Sequence, residues 1–242
     1  MSKSFLKAFS PLSTQRSDYY NIICNNKTKV LGPPIYLMDW SFIFEQIDIW
    51  KKNNPGISTI LDIGCGNSMF HTFLESHYKH GIIGIDRSDT TDPNSKFAKF
   101  AKEGHTMVNA IDICCDFIEE GVKFFNNNVD IVFWNSAIEH NSIENMKKAV
   151  DVSLNSLKNK GIFISTWALG EKTHWNESVS ATILSSDDAK EIFQTNWIEE
   201  PNFKSISNEF KENNLSLKDW HLKRFGHLNI DYVHAGNITV KE

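Results

Sequence analysis

The chain has 242 residues, 40% hydrophobic and 23% charged, a balance that suits one globular domain with embellishments. Its formal net charge is −5 with Lys and Arg dispersed. That distribution argues against broad binding to a phosphate backbone, and no apolar run approaches the length of about 18 residues that a membrane span needs. The opening MSKSFLKAFSPLSTQRSDYY has no apolar core long enough for a signal peptide. Cys24, Cys65, Cys114 and Cys115 form no C-x-x-C pair and no disulfide framework, so a reducing cytoplasm is the expected setting.

In chain order, residues 1–34 are polar and close on Gly32-Pro33-Pro34, which predicts a break rather than an element. IYLMDWSFIFEQIDIWKK (35–52) reads as an amphipathic or buried helix leading into TILDI (59–63), a short, apolar, β-branched strand. Gly64 and Gly66 then turn the backbone, and a helix is expected through His71-Thr72-Phe73-Leu74. GIIGID (81–86), HTMVNAID (105–112), VDIVFWNS (129–136) and GIFISTWAL (161–169) follow as further strands. Before the last of these, Met146, Val150, Leu154 and Leu157 mark one helical face, with Gly161 placed as the glycine that stops the helix.

WALGEKTHWNESVSATIL (167–184) has no clear period and is expected as a long loop flanked by Trp167 and Trp175. Loops longer than about 12–15 residues are often active-site lids. Ser185-Ser186-Asp187-Asp188 resembles a capping box opening another helix. LSLKDWHLKRF (215–225) and YVHAGNITVKE (232–242) read as two strands joined around Gly226, an antiparallel hairpin on one edge of the sheet. Apolar strands spaced by helices define an α/β, doubly wound architecture. The expected division is a single domain: an N-terminal helical and loop extension (1–56), a ligand-binding core (57–170), and a substrate-side loop with the C-terminal strands (171–242).

The ligand follows from the turn after the first strand. A dinucleotide site uses G-x-G-x-x-G, whose third glycine allows close packing beside the pyrophosphate. Counting from Gly64 gives Gly66 and then Met69, so that glycine is missing. Asp62, two residues before Gly64, would repel a pyrophosphate and suit an ammonium or sulfonium. Asp86 ends the second strand twenty residues after Gly66, where a carboxylate accepts from both ribose hydroxyls. Asp112 ends the third strand, placed for an exocyclic adenine amine, with Asp116 and Cys114 as alternatives for that turn. Three strand-end carboxylates and no basic residue in the turn describe a cationic adenosine ligand, S-adenosylmethionine (SAM).

ILDIGCGNS, GIDRSD, NAIDI and VDIVFWNSAIEH resemble the successive motifs of class I SAM-dependent methyltransferases. The likeness is to the broad small-molecule group with an E-x-G-x-G-type first motif and an EH after the fourth strand, and it covers about residues 57–170. It implies a Rossmann-like, mostly parallel seven-stranded sheet whose last two strands come from the C-terminal hairpin. It implies that Gly64 and Gly66, with Cys65 and Asn67 in the same turn, approach the methionine moiety. Asp86 would meet the ribose, with Arg87 contributing backbone or stacking, and Asp112 with Ile113 the adenine. Asn135 and the adjacent Ser136 would line the site from the end of strand four.

Glu139-His140 falls just past strand four, on the rim where such sheets bind ligands. His140 is the first choice as general base because imidazole titrates near neutral pH, and Glu139 could orient the ring or hold the acceptor. The plainer alternative is that both only shape the loop. His174, His221, His227 and His234 lie in a less readable region, where a lone histidine is more often structural. Asn135-Ser136-Ala137-Ile138 lacks the prolines of the amino-methylating DNA enzymes, and Asn135 stands where metal-dependent catechol-type enzymes would show an aspartate, so no metal is expected. The acceptor expected is a small hydroxylated metabolite, a bacterial sugar or nucleotide-linked sugar, with neither nucleic acid nor membrane as partner. An NAD-dependent reductase or epimerase and a non-catalytic SAM-binding subunit are the competing readings. The absent third glycine and Tyr-x-x-x-Lys pair count against the first, and the full set of cofactor carboxylates against the second.

Overall fold

The most apolar stretches become the strands, and the helices between them cover both faces of the resulting sheet. A computed structural model describes residues 4–25, 34–66, 69–79, 81–87, 111–213 and 232–242. Its elements are β1 (Phe5–Ala8), α1 (Pro11–Gln15), α2 (Asp18–Cys24), α3 (Pro34–Asn53), β2 (Ile60–Ile63), α4 (Met69–Tyr78), β3 (Ile83–Asp86), β4 (Ile113–Cys114), α5 (Phe117–Phe125) and β5 (Val129–Asn135). A 3-10 turn (Ile138–His140) follows, then α6 (Ile143–Ser156), β6 (Leu157–Leu169), β7 (His174–Asn176), β8 (Ala181–Ile183), α7 (Ser186–Phe193), α8 (Phe203–Asn213) and β9 (Val233–Val240).

Seven strands form one sheet in the order β1-β9-β6-β5-β2-β3-β4. The five from β6 to β4 are parallel, and β9 runs antiparallel to both β6 and β1. The chain therefore runs outward from β2 through β3 to β4, then returns to the other side of β2 to place β5 and β6. That reversal between β2 and β5 creates a crevice at the strand carboxyl ends, the position where open α/β sheets bind ligands.

One face is covered by α3 and α4: Trp40 stacks on Phe70 at 5.4 Å, and Phe70 meets Phe133 of β5 edge-on. On the other face Trp134 donates to Ser153 Oγ of α6 at 3.1 Å, and Trp167 stacks on Phe193 of α7 at 5.3 Å. Trp167 is fully buried, so it is a core residue rather than one edge of a lid.

Several sequence expectations need correction. Residues 4–25 form elements that the polar sequence did not resolve: Ser10 and Ser17 cap α1 and α2, and β1 pairs with β9 from Phe5↔Ile238 to Ala8↔Ala235. These elements are too short to leave a period, and their stability comes from partners at the far end of the chain. The antiparallel strand expected near the C-terminus is present as β9. Its free edge is covered by β1, where the resemblance implies a second C-terminal strand; residues 215–225 lie outside the described residues, as do 105–110 of the third expected strand.

Gly161 is not a helix stop. α6 ends at Ser156 because the amides of Asn127 and Asn128 take the carbonyls of Asn155 and Ser156, leaving Leu157 free to pair with Val129. Gly161 instead permits a tight backbone approach inside β6, where a Cβ would lie 2.9 Å from the carbonyl oxygens of Asp130 and Lys158. The segment expected as a loop after Trp167 folds into the β7–β8 hairpin, tied to the end of β6 through Gly170 and Leu184. The expected helix start is present, with half of the capping box: Ser185 accepts from Asp188 N–H at the start of α7, while its own N–H donates to Thr173 Oγ1.

Candidate active site

The first wall of the crevice is the turn after β2. Gly64 and Gly66 have φ of +67° and +51°, conformations that L side chains resist. Gly64 also packs so tightly against the turn after β5 that a Cβ would lie 2.6 Å from Ala137 Cβ. The turn is pinned to β3: Gly64 N–H donates to Ile85 O at 2.7 Å, and Gly66 N–H to Asp86 Oδ2 at 3.0 Å. The twenty-residue spacing read from sequence is therefore a direct contact between the glycine turn and the carboxylate.

Asp62 and His71 form a buried pair below this turn, with Oδ2 and Nδ1 3.1 Å apart, and His71 Nε2 lies 3.6 Å from Glu75. Burial pushes the Asp62 carboxyl up, against the pull of His71. Burial alone would lower His71, yet the hydrogen bond and charge of Asp62, with Glu75 and Asp112, leave it raised. Asp62 is 1% exposed, so it fastens α4 beneath the turn instead of facing the crevice. Cys65 is buried too, and burial beside three carboxylates pushes its thiol up, keeping it protonated.

From the expected set, Gly64, Asp86, Arg87, Ser136 and His140 line the crevice. Asp112 does not: its Oδ2 accepts from Gly84 N–H at 2.8 Å and locks the entry of β4 against β3, where Ile113 pairs with Ile85. The crevice is bounded there by Asp116, Phe117 and Ile118, with Trp134 opposite. Asp116 caps α5 through Ile118 N–H and lies 3.7 Å from Arg87, an exposed pair of small energetic weight. Asn67 lies outside the described residues.

The second wall is the turn after β5. His140 is exposed on the rim, and its Nδ1 lies 2.7 Å from the carbonyl of Ser180, in the hairpin between β7 and β8. A carbonyl only accepts, so Nδ1 carries a proton and the neutral ring keeps a lone pair on Nε2. Thr182 Oγ1 donates to Asn141 O and fastens the hairpin over the same turn. Glu139 is buried beneath it; burial pushes its carboxyl up, against the attraction of His140 and His234. Asn135 Oδ1 and Glu139 Oε2 are buried acceptors with no hydrogen-bond partner among the described residues.

Two residues complete this wall: Asp39, which the sequence reading did not single out, and His234, which it noted only as a lone histidine. Asp39 of α3, fully buried, holds His234 of β9 with Nδ1–O distances of 2.8 and 2.9 Å and accepts from Ser136 Oγ at 3.0 Å. No local signal marks them, because the pair is joined across 195 positions of sequence. His71 was closer to legible, nine positions after Asp62 on the following helix.

Residues 61–165 match a family model described as a methyltransferase domain. No protein of curated function matches the chain. Among solved structures, the [4+2]-cyclase SpnF is 16% identical with a TM-score of 0.52, the match covering 89% of this chain and 85% of that one. Phosphoethanolamine N-methyltransferase 2 of Haemonchus contortus, in complex with phosphomonomethylethanolamine and S-adenosylhomocysteine (SAH), is 15% identical with a TM-score of 0.52, over 99% and 68%. A putative sarcosine dimethylglycine methyltransferase from Galdieria sulphuraria is 11% identical with a TM-score of 0.52, over 85% and 86%. At such identities the likeness is one of fold.

Residues 61–165 carry a methyltransferase domain, and the sheet order and glycine turn around it are those of the class I SAM-dependent methyltransferase fold. Its cofactor is that of the class, S-adenosylmethionine.

Proposed function

We propose that the enzyme methylates a hydroxyl of a small polyhydroxylated acceptor, a bacterial sugar or nucleotide-linked sugar, with His140 as general base. The observation that carries this reading is the bond from His140 Nδ1 to the Ser180 carbonyl, which leaves Nε2 as a proton acceptor on the rim of the crevice. Bound SAM supplies a methyl group already activated on a sulfonium. The protein's part is to align the acceptor oxygen and remove its proton, which general-base catalysis typically accelerates by roughly 10²–10⁴-fold. Glu139 is buried beneath the same turn, near enough for the charge of His140 to act on its carboxyl.

The residues present fit the cofactor. Asp86 presents a strand-end carboxylate to a ribose diol, steadied by Gly66 N–H. Phe117 and Ile118 offer an apolar surface to adenine, and Asp116 stands at the position for its exocyclic amine in place of Asp112. The orphaned Oδ1 of Asn135, a buried acceptor of the kind that costs about 1–3 kcal/mol to leave unpaired, suits the ligand's ammonium group.

Among the described residues no helix is long and apolar enough to cross a membrane. A cytoplasmic setting agrees with Cys24, Cys65, Cys114 and Cys115 all being free thiols. The test is to incubate the purified chain with methyl-labelled SAM and extracts of cell-surface sugars. Label should enter a neutral carbohydrate fraction with matching release of SAH. Label confined to amine-bearing products would refute the hydroxyl reading.

A further inference from the structure

We propose that Ser136 binds the acceptor and that the buried Asp39–His234 pair positions it, so that the crevice selects a molecule with two neighbouring hydroxyls, one for His140 and one for Ser136. The inference rests on His140 being the base and moves Ser136, grouped with the cofactor residues in the sequence, to the acceptor side.

Ser136 has a φ of +47°, a conformation rare for a residue with a side chain. Strain of this kind persists only where the surroundings enforce it. Two bonds do so: Ser136 N–H donates to Thr166 Oγ1 at 3.0 Å, and Ser136 Oγ lies 3.0 Å from Asp39 Oδ2. Asp39 is in turn clamped by His234 Nδ1 on both of its oxygens. Burial would lower His234, but the charge and hydrogen bond of Asp39, with Glu139, outweigh it and leave the ring raised.

A carboxylate accepts only, so the Ser136 hydroxyl proton is directed backward to Asp39 and its oxygen lone pairs are left for the crevice. His140, one short turn further on, lines the same crevice with Nε2 as an acceptor. Two oriented acceptors on one wall match a ligand that offers two donors. A third polar atom, Glu139 Oε2, belongs to a residue only 4% exposed and has no hydrogen-bond partner among the described residues behind that wall.

Cyclohexane-1,2-diol and cyclohexanol, the same ring with two hydroxyls or one, are the probes. Their affinity for the SAH-loaded 242-residue chain is measured by saturation-transfer NMR, and the SAH affinity by calorimetry. The wild type should prefer the diol by about tenfold, the worth of one hydrogen bond. Ser136→Ala should erase that preference while SAH affinity stays within about twofold, a split that damage to the fold would not produce. Asp39→Ala, which removes the acceptor behind the Ser136 hydroxyl, should do the same; should it fail to fold, Ser136→Ala decides alone. Equal binding of the two probes, no binding of the diol, a preference that survives Ser136→Ala, or a parallel loss of SAH affinity in that variant would each overturn the inference. Failure of the base reading looks different: turnover unchanged in His140→Ala, with the diol preference intact in Ser136-containing protein.

Discussion

On the wall proposed for the cofactor, the groups that face the crevice come from the ends of successive parallel strands: Gly64 after β2, Asp86 at the end of β3, and Asp116 to Ile118 after β4. On the acceptor wall, Ser136 and His140 are held from behind by residues that only the finished fold assembles, with Asp39 and His234 meeting across 195 positions and His140 tied to a hairpin 40 positions away. The cofactor wall is shaped by backbone turns between adjacent parallel strands. The acceptor wall depends on α3 and β9 being docked. Damage to the second wall should therefore separate acceptor chemistry from cofactor affinity, and damage to the first should not.

The largest effect is expected at the rim. His140→Ala should lower turnover by roughly 10²–10⁴-fold while calorimetry shows SAH affinity nearly unchanged. A loss of tenfold or less would mean that alignment supplies most of the catalysis; a parallel loss of SAH binding would mark Glu139-His140 as structural.

Breaking the buried tie comes next. His234→Gln leaves Asp39 without its charged partner, and denaturant unfolding should show a loss of about 3–5 kcal/mol, the usual cost of stranding one member of a buried pair. The loss should be smaller at high pH. His234 is raised in the folded protein, so its contribution is complete below the unfolded histidine value of about 6.5 and fades as pH rises through the folded value. A gap between wild type and variant that does not narrow from about pH 6 to about pH 9 would deny the charged pair.

On the cofactor wall, Asp86→Ala should weaken SAH binding by about 1–3 kcal/mol without unfolding the protein, because the residue caps an open strand end. The smallest effect is expected for Asp112→Asn. Its carboxylate is engaged by Gly84 N–H and an amide oxygen can still accept there, so SAH affinity should fall by less than about threefold. A loss equal to that of Asp86→Ala would restore Asp112 to the adenine site.

The contrast between the walls also explains what the sequence revealed. The parallel core was legible because strands such as VDIVFWN are buried on both faces and read as unbroken apolar runs. Asp86 was legible because one βα unit separates it from Gly66, and that length is set by the geometry of the unit. β1, α1 and α2 were not, since four to seven residues leave no period and their partners lie elsewhere. The end of α6 was misplaced because two asparagine amides from a neighbouring loop, not a glycine, satisfy its last carbonyls. Asp62 and Asp112 were correctly noticed as strand-associated carboxylates, but whether such a group faces ligand or helix depends on side-chain direction, which spacing does not encode. His234 was visible only as a lone histidine until Asp39 was seen beside it.

The central claim is that the turn after β2 holds a cationic adenosine ligand rather than a dinucleotide. Calorimetric titration of the purified wild-type protein with SAM, SAH and NAD tests it most directly. Binding of SAM and SAH with no heat from NAD is the expected result; binding of NAD with none of either SAM form would contradict the account.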